Sequence, residues 1–299
     1  MVERRGAWLG QGTILCCAVL WSTSGLFIKL LDWHPLLIAG GRSAVAALFL
    51  FAVRCAAVRR RPVRREGAPA GRFPVVAGAL AYAATMISFV WANKLTTPAN
   101  AILLQYTAPV WAALLGWRLI GEKPRWFHWG ALALVMGGLL IFFREDLKAG
   151  GPGLSTIRGD IVALVSGLIF GAHSVFLRMQ KDGNPADSML GAHLVCAAVS
   201  LPVFVLMPPA PDIRSLGALG FMGLFQVGLA SQLFAFGIRR VQAMQALLIA
   251  MIEPVHNPLW VFIVTGERPS PAAFAGGLVI IAAVLLSSVL AQRSQARRI

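Results

Sequence analysis

Apolar residues gather into ten runs along the chain, separated by short polar breaks rich in Gly, Pro, Lys and Arg. Five of them cover residues 7–31, 36–58, 73–91, 99–117 and 126–143. The other five cover residues 160–177, 188–207, 216–238, 243–265 and 272–291. Several exceed the ~18 residues at which an apolar helix becomes long enough to cross a bilayer. The longest polar break, REDLKAGGPGLSTIRGD from Arg144, is rich in Gly and falls near the middle. It reads as a linker over residues 144–159, joining halves at residues 7–143 and 160–291.

The halves resemble each other. LIGEKP begins at Leu119, and VTGERP follows 145 positions later at Val264. The same shift aligns Ala101 with Ala246, Leu103 with Leu248, Pro109 with Pro254 and Glu122 with Glu267. Nearer the start of each half, a shift of 149 aligns Gly10 with Gly159, Trp21 with Phe170 and Lys29 with Arg178. Each half is one copy of a five-helix unit. Five is odd, so the second copy enters the membrane from the opposite face, and the repeat is inverted. The expected fold is therefore all-α and integral to the membrane, with ten transmembrane helices in two inverted five-helix repeats. Within each copy, Gly-Glu-basic-Pro reads as a hairpin turn between the fourth and fifth helices. Gly permits a left-handed helix end, Glu complements the dipole of the next helix, and Pro suits a first turn.

Composition supports the membrane reading. Hydrophobic residues make up 58%, charged residues 13%, and mean hydropathy is +0.72; a soluble domain carries about 25% charged residues. The net charge of +15 does not point to nucleic acid, because the basic residues lie between apolar runs, above all at residues 54–72. Such a segment marks the cytoplasmic side and attracts anionic headgroups. With both termini inside, cytoplasmic segments hold 19 of the 27 Lys and Arg and outer segments 7, with Arg42 inside a run. The expected place is the cell inner membrane, multi-pass, with cytoplasmic termini. The first run is too long for a signal-peptide core and reads as a retained helix. Cys16, Cys17, Cys55 and Cys196 show neither CxxC spacing nor a His partner set, and read as packing residues.

The stretches AVLWSTSGLFIK, GGRSAVAALFL, QYTAPVWAALLGWRLIGEKP and AMIEPVHNPLWVFIVTGERP resemble the drug/metabolite transporter superfamily, and more narrowly its ten-helix EamA-type exporters. The resemblance covers nearly the whole chain. It implies a central cavity lined by spans one, three, four, six, eight and nine, cytoplasmic termini, and export of small metabolites by alternating access. It also makes a basic residue expected at Arg42, either paired with a carboxylate or reaching for the interface.

An ionisable group inside a span is costly and needs a reason. Glu253 is the clearest such group, next to Pro254. Pro254 and Pro109 each remove a helical donor, which makes them candidate hinges. Helical spacing aligns Gln245, Glu253 and His256 in one stripe, with Gln242 and Trp260 at its ends; the matching first-half stripe holds Asn100 and Trp111. Trp21, Ser22, Tyr82, Trp91, Gln105 and His173 offer further aromatic faces and hydrogen bonds. Two readings of Glu253 stand: a cavity carboxylate meeting a substrate amine or a proton, and a protonated group in a helix contact. For the other polar residues, helix-to-helix glue is the competing reading.

No HExxH, GxSxG or Walker-type motif is present, so an intramembrane enzyme is disfavoured, as is a channel lacking a filter or charge repeat. No cofactor or metal is expected. The partners are a small-molecule substrate and the lipid bilayer, and a monomer is the simplest state. One carboxyl among aromatic and amide groups suits an amino acid or related zwitterion. A cationic drug or a nucleoside is the alternative.

Overall fold

The computed structural model describes residues 2–24, 27, 31–60, 71–96, 98–144, 157–210, 212–265 and 270–296. Its helices in chain order are α1 (Val2–Trp21), α2 (Pro35–Arg60), α3 (Arg72–Leu95), α4 (Pro98–Gln105), α5 (Ala108–Ile120), α6 (Trp126–Phe142) and α7 (Ile157–Met179). There follow α8 (Ala186–Leu206), α9 (Ile213–Phe221), a π-helical stretch Met222–Leu229, α10 (Ala230–Ile238), α11 (Ala243–Ala250), α12 (Glu253–Thr265) and α13 (Pro271–Ala296). Among the described residues there is no strand. Among the described residues, six helices are long and apolar enough to cross a membrane: Pro35–Ala57, Arg72–Leu95, Ile157–Met179, Ala186–Leu206, Ile213–Ile238 and Pro271–Ser294. Large apolar side chains point outward along them, among them Leu48 on α2, Leu206 on α8 and Phe274 on α13. Such a surface suits lipid, not water. The protein is an integral membrane helical protein.

Local chemistry sets several helix ends. Proline opens α2, α4 and α13, where its missing N–H removes no helical bond. Gly121 ends α5 at φ 70°, and the next N–H, from Glu122, reaches back to Gly116 O at 3.1 Å. The first helix is shorter than its apolar run. α1 stops at Trp21, where the hydroxyls of Ser22 and Thr23 donate to Val19 O (2.6 Å) and Leu20 O (2.7 Å). Such side-chain bonds compete with the helical ladder.

The runs expected as unbroken fourth and ninth helices are each split, and both splits have one pattern. Between α4 and α5, Thr107 N bonds Leu104 O (3.2 Å) and Val110 N bonds Thr107 O (2.9 Å). Between α11 and α12, Ile252 N bonds Ile249 O (3.2 Å) and Val255 N bonds Ile252 O (3.1 Å). Every member of one set lies 145 positions from its counterpart. The cause is the proline after each break, Pro109 or Pro254, which has no N–H for the carbonyl four residues back, so the chain tightens into three-residue turns.

Helix α7 orients the bundle. At its first turn, Thr96 Oγ1 donates to Asp160 Oδ1 (2.8 Å), tying it to the end of α3. At its last turn, Arg178 Nη1 donates to Ile238 O (3.0 Å) and Arg239 O (2.6 Å), tying it to the end of α10. These are the Asp160 end and the Arg178 end of the bundle. Contacts cross over between the halves. Gly10 of α1 lies against Arg240 and Gly237, and Gly159 of α7 lies against Leu95 and Thr96; a Cβ on either would clash at 2.6–2.8 Å. Trp21 and Phe170 meet edge-on, with ring centroids 5.9 Å apart.

Candidate functional site

Glu253 opens α12, directly after the second helix break. Its carboxylate Oε2 accepts a hydrogen bond from the Tyr106 hydroxyl at 3.0 Å, and Tyr106 lies in the first break. One bond thus joins the two points where the helical ladders are interrupted. Tyr82 stacks on His173 with centroids 4.5 Å apart. Beside them Trp21, Phe170 and Phe234 form a buried aromatic cluster, Trp21 and Phe234 being 5.4 Å apart. Ser22 accepts a hydrogen bond from Trp260 Nε1 at 2.8 Å, linking the end of α1 to α12. His256 lies in the same first turn as Glu253 and bonds Ile252 O through Nδ1 (3.1 Å).

Glu253, His256, Trp21, Ser22, Tyr82 and His173 therefore occupy helices that meet around the two breaks. Other expected members lie elsewhere. Gln245 has other neighbours than Glu253, on the far side of the break. It is buried against α13, donating to Ser288 Oγ (3.2 Å) and accepting from Ser287 Oγ (3.0 Å). Asn100 sits at the Asp160 end, 3.4 Å from Asp160 Oδ1. Gln105 and Trp111, by contrast, flank the first break: Gln105 donates to Ser166 on α7 (3.0 Å), and Trp111 Nε1 donates to Thr107 Oγ1 within the break (3.2 Å). Trp91 is 37% exposed and meets His34 edge-on.

Two charged groups behave unlike their sequence readings. Arg42 neither pairs with a described carboxylate nor reaches the interface. It is buried, its Nη1 faces Gln226 Oε1 at 3.4 Å, and its Nε has no partner. Gln226 comes from the π-helical stretch, whose wider turn redirects side chains. Glu122 does not serve its own following helix. It crosses to accept from Arg178 Nε (2.6 Å) and from Ala243 N (3.2 Å), the first residue of α11. The second tetrapeptide, Gly266 to Pro269, lies outside the described residues, as do most of the linker and Lys29. A cavity of about 280 Å³ lies at the Arg178 end, lined by Gln245 but by none of the Glu253 group.

The residue pattern and this geometry meet in the family comparison. Residues 8–144 and 157–289 each match the EamA-like transporter family. The chain belongs to that family. An inner membrane transporter of Escherichia coli strain K12, YedA, is 23% identical over 92% of this chain and 90% of its own length. The aromatic amino acid exporter YddG of Ancylobacter novellus is 25% identical over 68% of this chain and 71% of its own. A transporter of Bacillus subtilis, YwfM, is 26% identical, and this chain spans 62% of its length. One crystal structure superimposes with a TM-score of 0.77 at 22% identity, covering 97% of this chain and 98% of that one. That likeness concerns the fold. Family and relatives point to a membrane transporter rather than an enzyme.

For this EamA-like transporter the breaks carry a testable consequence. Replacing Pro109 or Pro254 with Ala restores the N–H that would heal the helix. Each single variant is expected to slow substrate exchange several-fold while leaving binding affinity within about twofold. Single-turnover exchange measured beside equilibrium binding separates the two effects. Unchanged exchange in both singles and in the double variant contradicts a hinge role.

Proposed function

We propose that the protein is a secondary carrier that exports small metabolites, foremost amino acids or related zwitterions, by alternating access. The observation that carries this reading is the Tyr106–Glu253 hydrogen bond, which places a carboxylate between two interrupted helices. Interrupted helices at mid-membrane are where such carriers hold their ligands. Glu253 is suited to a substrate ammonium or a coupled proton. The Arg42 guanidinium is buried and lacks a carboxylate among the described residues, so it suits the carboxylate end of a zwitterion. The YddG relative, named an aromatic amino acid exporter, and a probable terminal-alkyne amino-acid exporter of Streptantibioticus cattleyicolor favour the same class.

The architecture behind this reading is two inverted five-helix copies, residues 7–143 and 160–291, with both termini cytoplasmic. The shared break pattern, the crossed contacts of Gly10 and Gly159, and the meeting of Trp21 with Phe170 support it. Lys94 and Arg239, 145 positions apart, lie towards the Asp160 end and the Arg178 end respectively. Single cysteines at these positions, in a chain lacking Cys16, Cys17, Cys55 and Cys196, are expected to react with an impermeant thiol reagent from opposite sides. Position 239 should react from the cytoplasm. Labelling of both from one side contradicts the inversion.

An uptake screen in proteoliposomes over amino acids, nucleosides and organic cations tests the substrate reading. Solutes bearing both ammonium and carboxylate should be transported, and analogues with either group masked should lose at least about tenfold in rate. Transport of nucleosides or cations alone overturns the substrate class but not the carrier.

A further inference from the structure

Gly167 and Gly171 lie one turn apart on α7, pressed against the first helix break and α5. A Cβ on Gly167 would meet Gln105 O and Thr107 Oγ1 at 2.8 Å. One on Gly171 would meet Ala108 O and Trp111 Cβ at 2.7 Å and Ala112 N at 3.0 Å. Such contacts set main chain against main chain, the closest approach open to two membrane helices. Ala108 and Ala112 are accordingly only 1% exposed. Two turns further along α7, Arg178 pins the same seam to Glu122, just beyond the end of α5. The 280 Å³ cavity at that end is lined by no residue of α7 and leaves the seam intact.

The repeat supplies a counterpart to this seam. The shift of 149 pairs Gly167 with Ala18 on α1 and Gly171 with Ser22 just past its end. The shift of 145 pairs Ala108 with Glu253 and Trp111 with His256, both on α12. Ser22 carries the Cβ that the Gly171 contact excludes, and a hydroxyl besides. α12 therefore cannot lie on α1 as α5 lies on α7. What reaches Ser22 is the long side chain of Trp260, whose Nε1 donates to Ser22 Oγ at 2.8 Å. Glu253 and His256 stay partly exposed. Shutting this seam without an occupant would take a carboxylate and an imidazole away from water, a cost that the α5–α7 seam does not carry.

We infer, on the inverted architecture proposed above, that the unliganded protein rests shut at the Arg178 end, and that solutes reach Glu253 from the Asp160 end between α1 and α12. The preference is built into the two seams: one closes on bare backbone, and the other needs an occupant. α11 begins beside Glu122 at the Arg178 end, so α12, beyond the second break, runs towards the Asp160 end. The opening therefore faces away from the Glu122–Arg178 pair.

Paired spin labels test this in the full chain, reconstituted in lipid without added solute and with Cys16, Cys17, Cys55 and Cys196 replaced. Labels at Arg118 and Lys181, both exposed near the ends of α5 and α7, span the first seam. Labels at Ser24 and Ile263 span the second. Double electron–electron resonance should return one dominant distance for each pair, with any alternative population below about 10%. Gly171→Leu wedges the first seam and should add a longer Arg118–Lys181 distance. Ser22→Gly with Glu253→Ala copies Gly171 and Ala108 into the second seam and should add a shorter Ser24–Ile263 distance. Each should change the ratio of the two populations at least about tenfold. Gly130→Leu, on α6 where a Cβ meets nothing within 4 Å, should change neither. Wild-type populations evenly divided at both seams overturn the inference. So does a folded Gly171→Leu protein, or a folded Ser22→Gly/Glu253→Ala protein, with wild-type distances. Counterflow by a protein with evenly divided seams would remove the resting preference and leave the carrier standing.

Discussion

Glu253→Gln is expected to reduce transport of amine-bearing solutes by at least about tenfold, the loss set by replacing a charged acceptor with a neutral one. The fold should survive. A Gln amide oxygen still accepts from the Tyr106 hydroxyl, so the link between the two breaks persists. Tyr106→Phe makes the complementary change, keeping the carboxylate and removing its donor, and should cost less transport than Glu253→Gln. Two roles for the carboxylate separate by pH. If Glu253 carries a proton, wild-type transport varies across about pH 5 to 8, and Glu253→Gln transport does not. If it binds the substrate ammonium, Glu253→Gln weakens affinity at every pH. Wild-type transport and binding by Glu253→Gln across that range would make the residue a structural hydrogen-bonding group.

Glu122→Ala should produce the largest loss of stability. The Arg178 and Glu122 side chains are 13% and 17% exposed, so their ion pair is largely desolvated. Removing the carboxylate takes the counter-ion from Arg178, whose Nη1 keeps its bonds to Ile238 O and Arg239 O, and leaves Ala243 N without its acceptor. Breaking a buried pair costs about 3–5 kcal/mol, and partial exposure lowers that to about 2–3 kcal/mol here. The unfolding midpoint in detergent should fall by about 5 °C or more. Glu122→Gln, which keeps an acceptor for Ala243 N, should fall less. A double-mutant cycle with Arg178→Ala should return a coupling above about 1 kcal/mol. A wild-type midpoint for Glu122→Ala would mean that the pair contributes nothing. On the alternating-access reading this pair must separate whenever the Arg178 end opens, so the variant should also favour conformations open at that end.

Much of this was legible in the chain, and the exceptions have physical causes. The apolar runs anticipated the long helices because membrane spans need about 20 apolar residues, a signal that survives without packing information. Pro109 and Pro254 were readable as interruptions. What they do to the stripe was not: a periodicity argument assumes one continuous helix, and the breaks at Thr107 and Ile252 reset the angle. Gln245, before the break, bonds Ser287 and Ser288 of α13. Tyr106 stood in the same QYTAP stretch as Pro109, yet its partner is 147 residues away, and no local pattern encodes such a pairing. Glu122 was read against its nearest helix, whereas its hydrogen bonds go to α7 and α11. Arg178 carried a faint signal, being aligned with Lys29 by the repeat, but a shared charge does not name its counter-ion. The π-helical turn that presents Gln226 to Arg42 left no mark in the hydrophobic pattern.

The carrier reading is tested most directly by counterflow. Proteoliposomes containing the wild-type protein are loaded with an unlabelled amino acid identified in the uptake screen and diluted into a trace of the labelled form. A carrier exchanging its ligand across the membrane accumulates label transiently above equilibrium, saturably, with the solute chemically unchanged. Label that only equilibrates, without stimulation by the loaded solute, marks a channel, and label recovered as a different compound marks an enzyme. Either result would contradict the account.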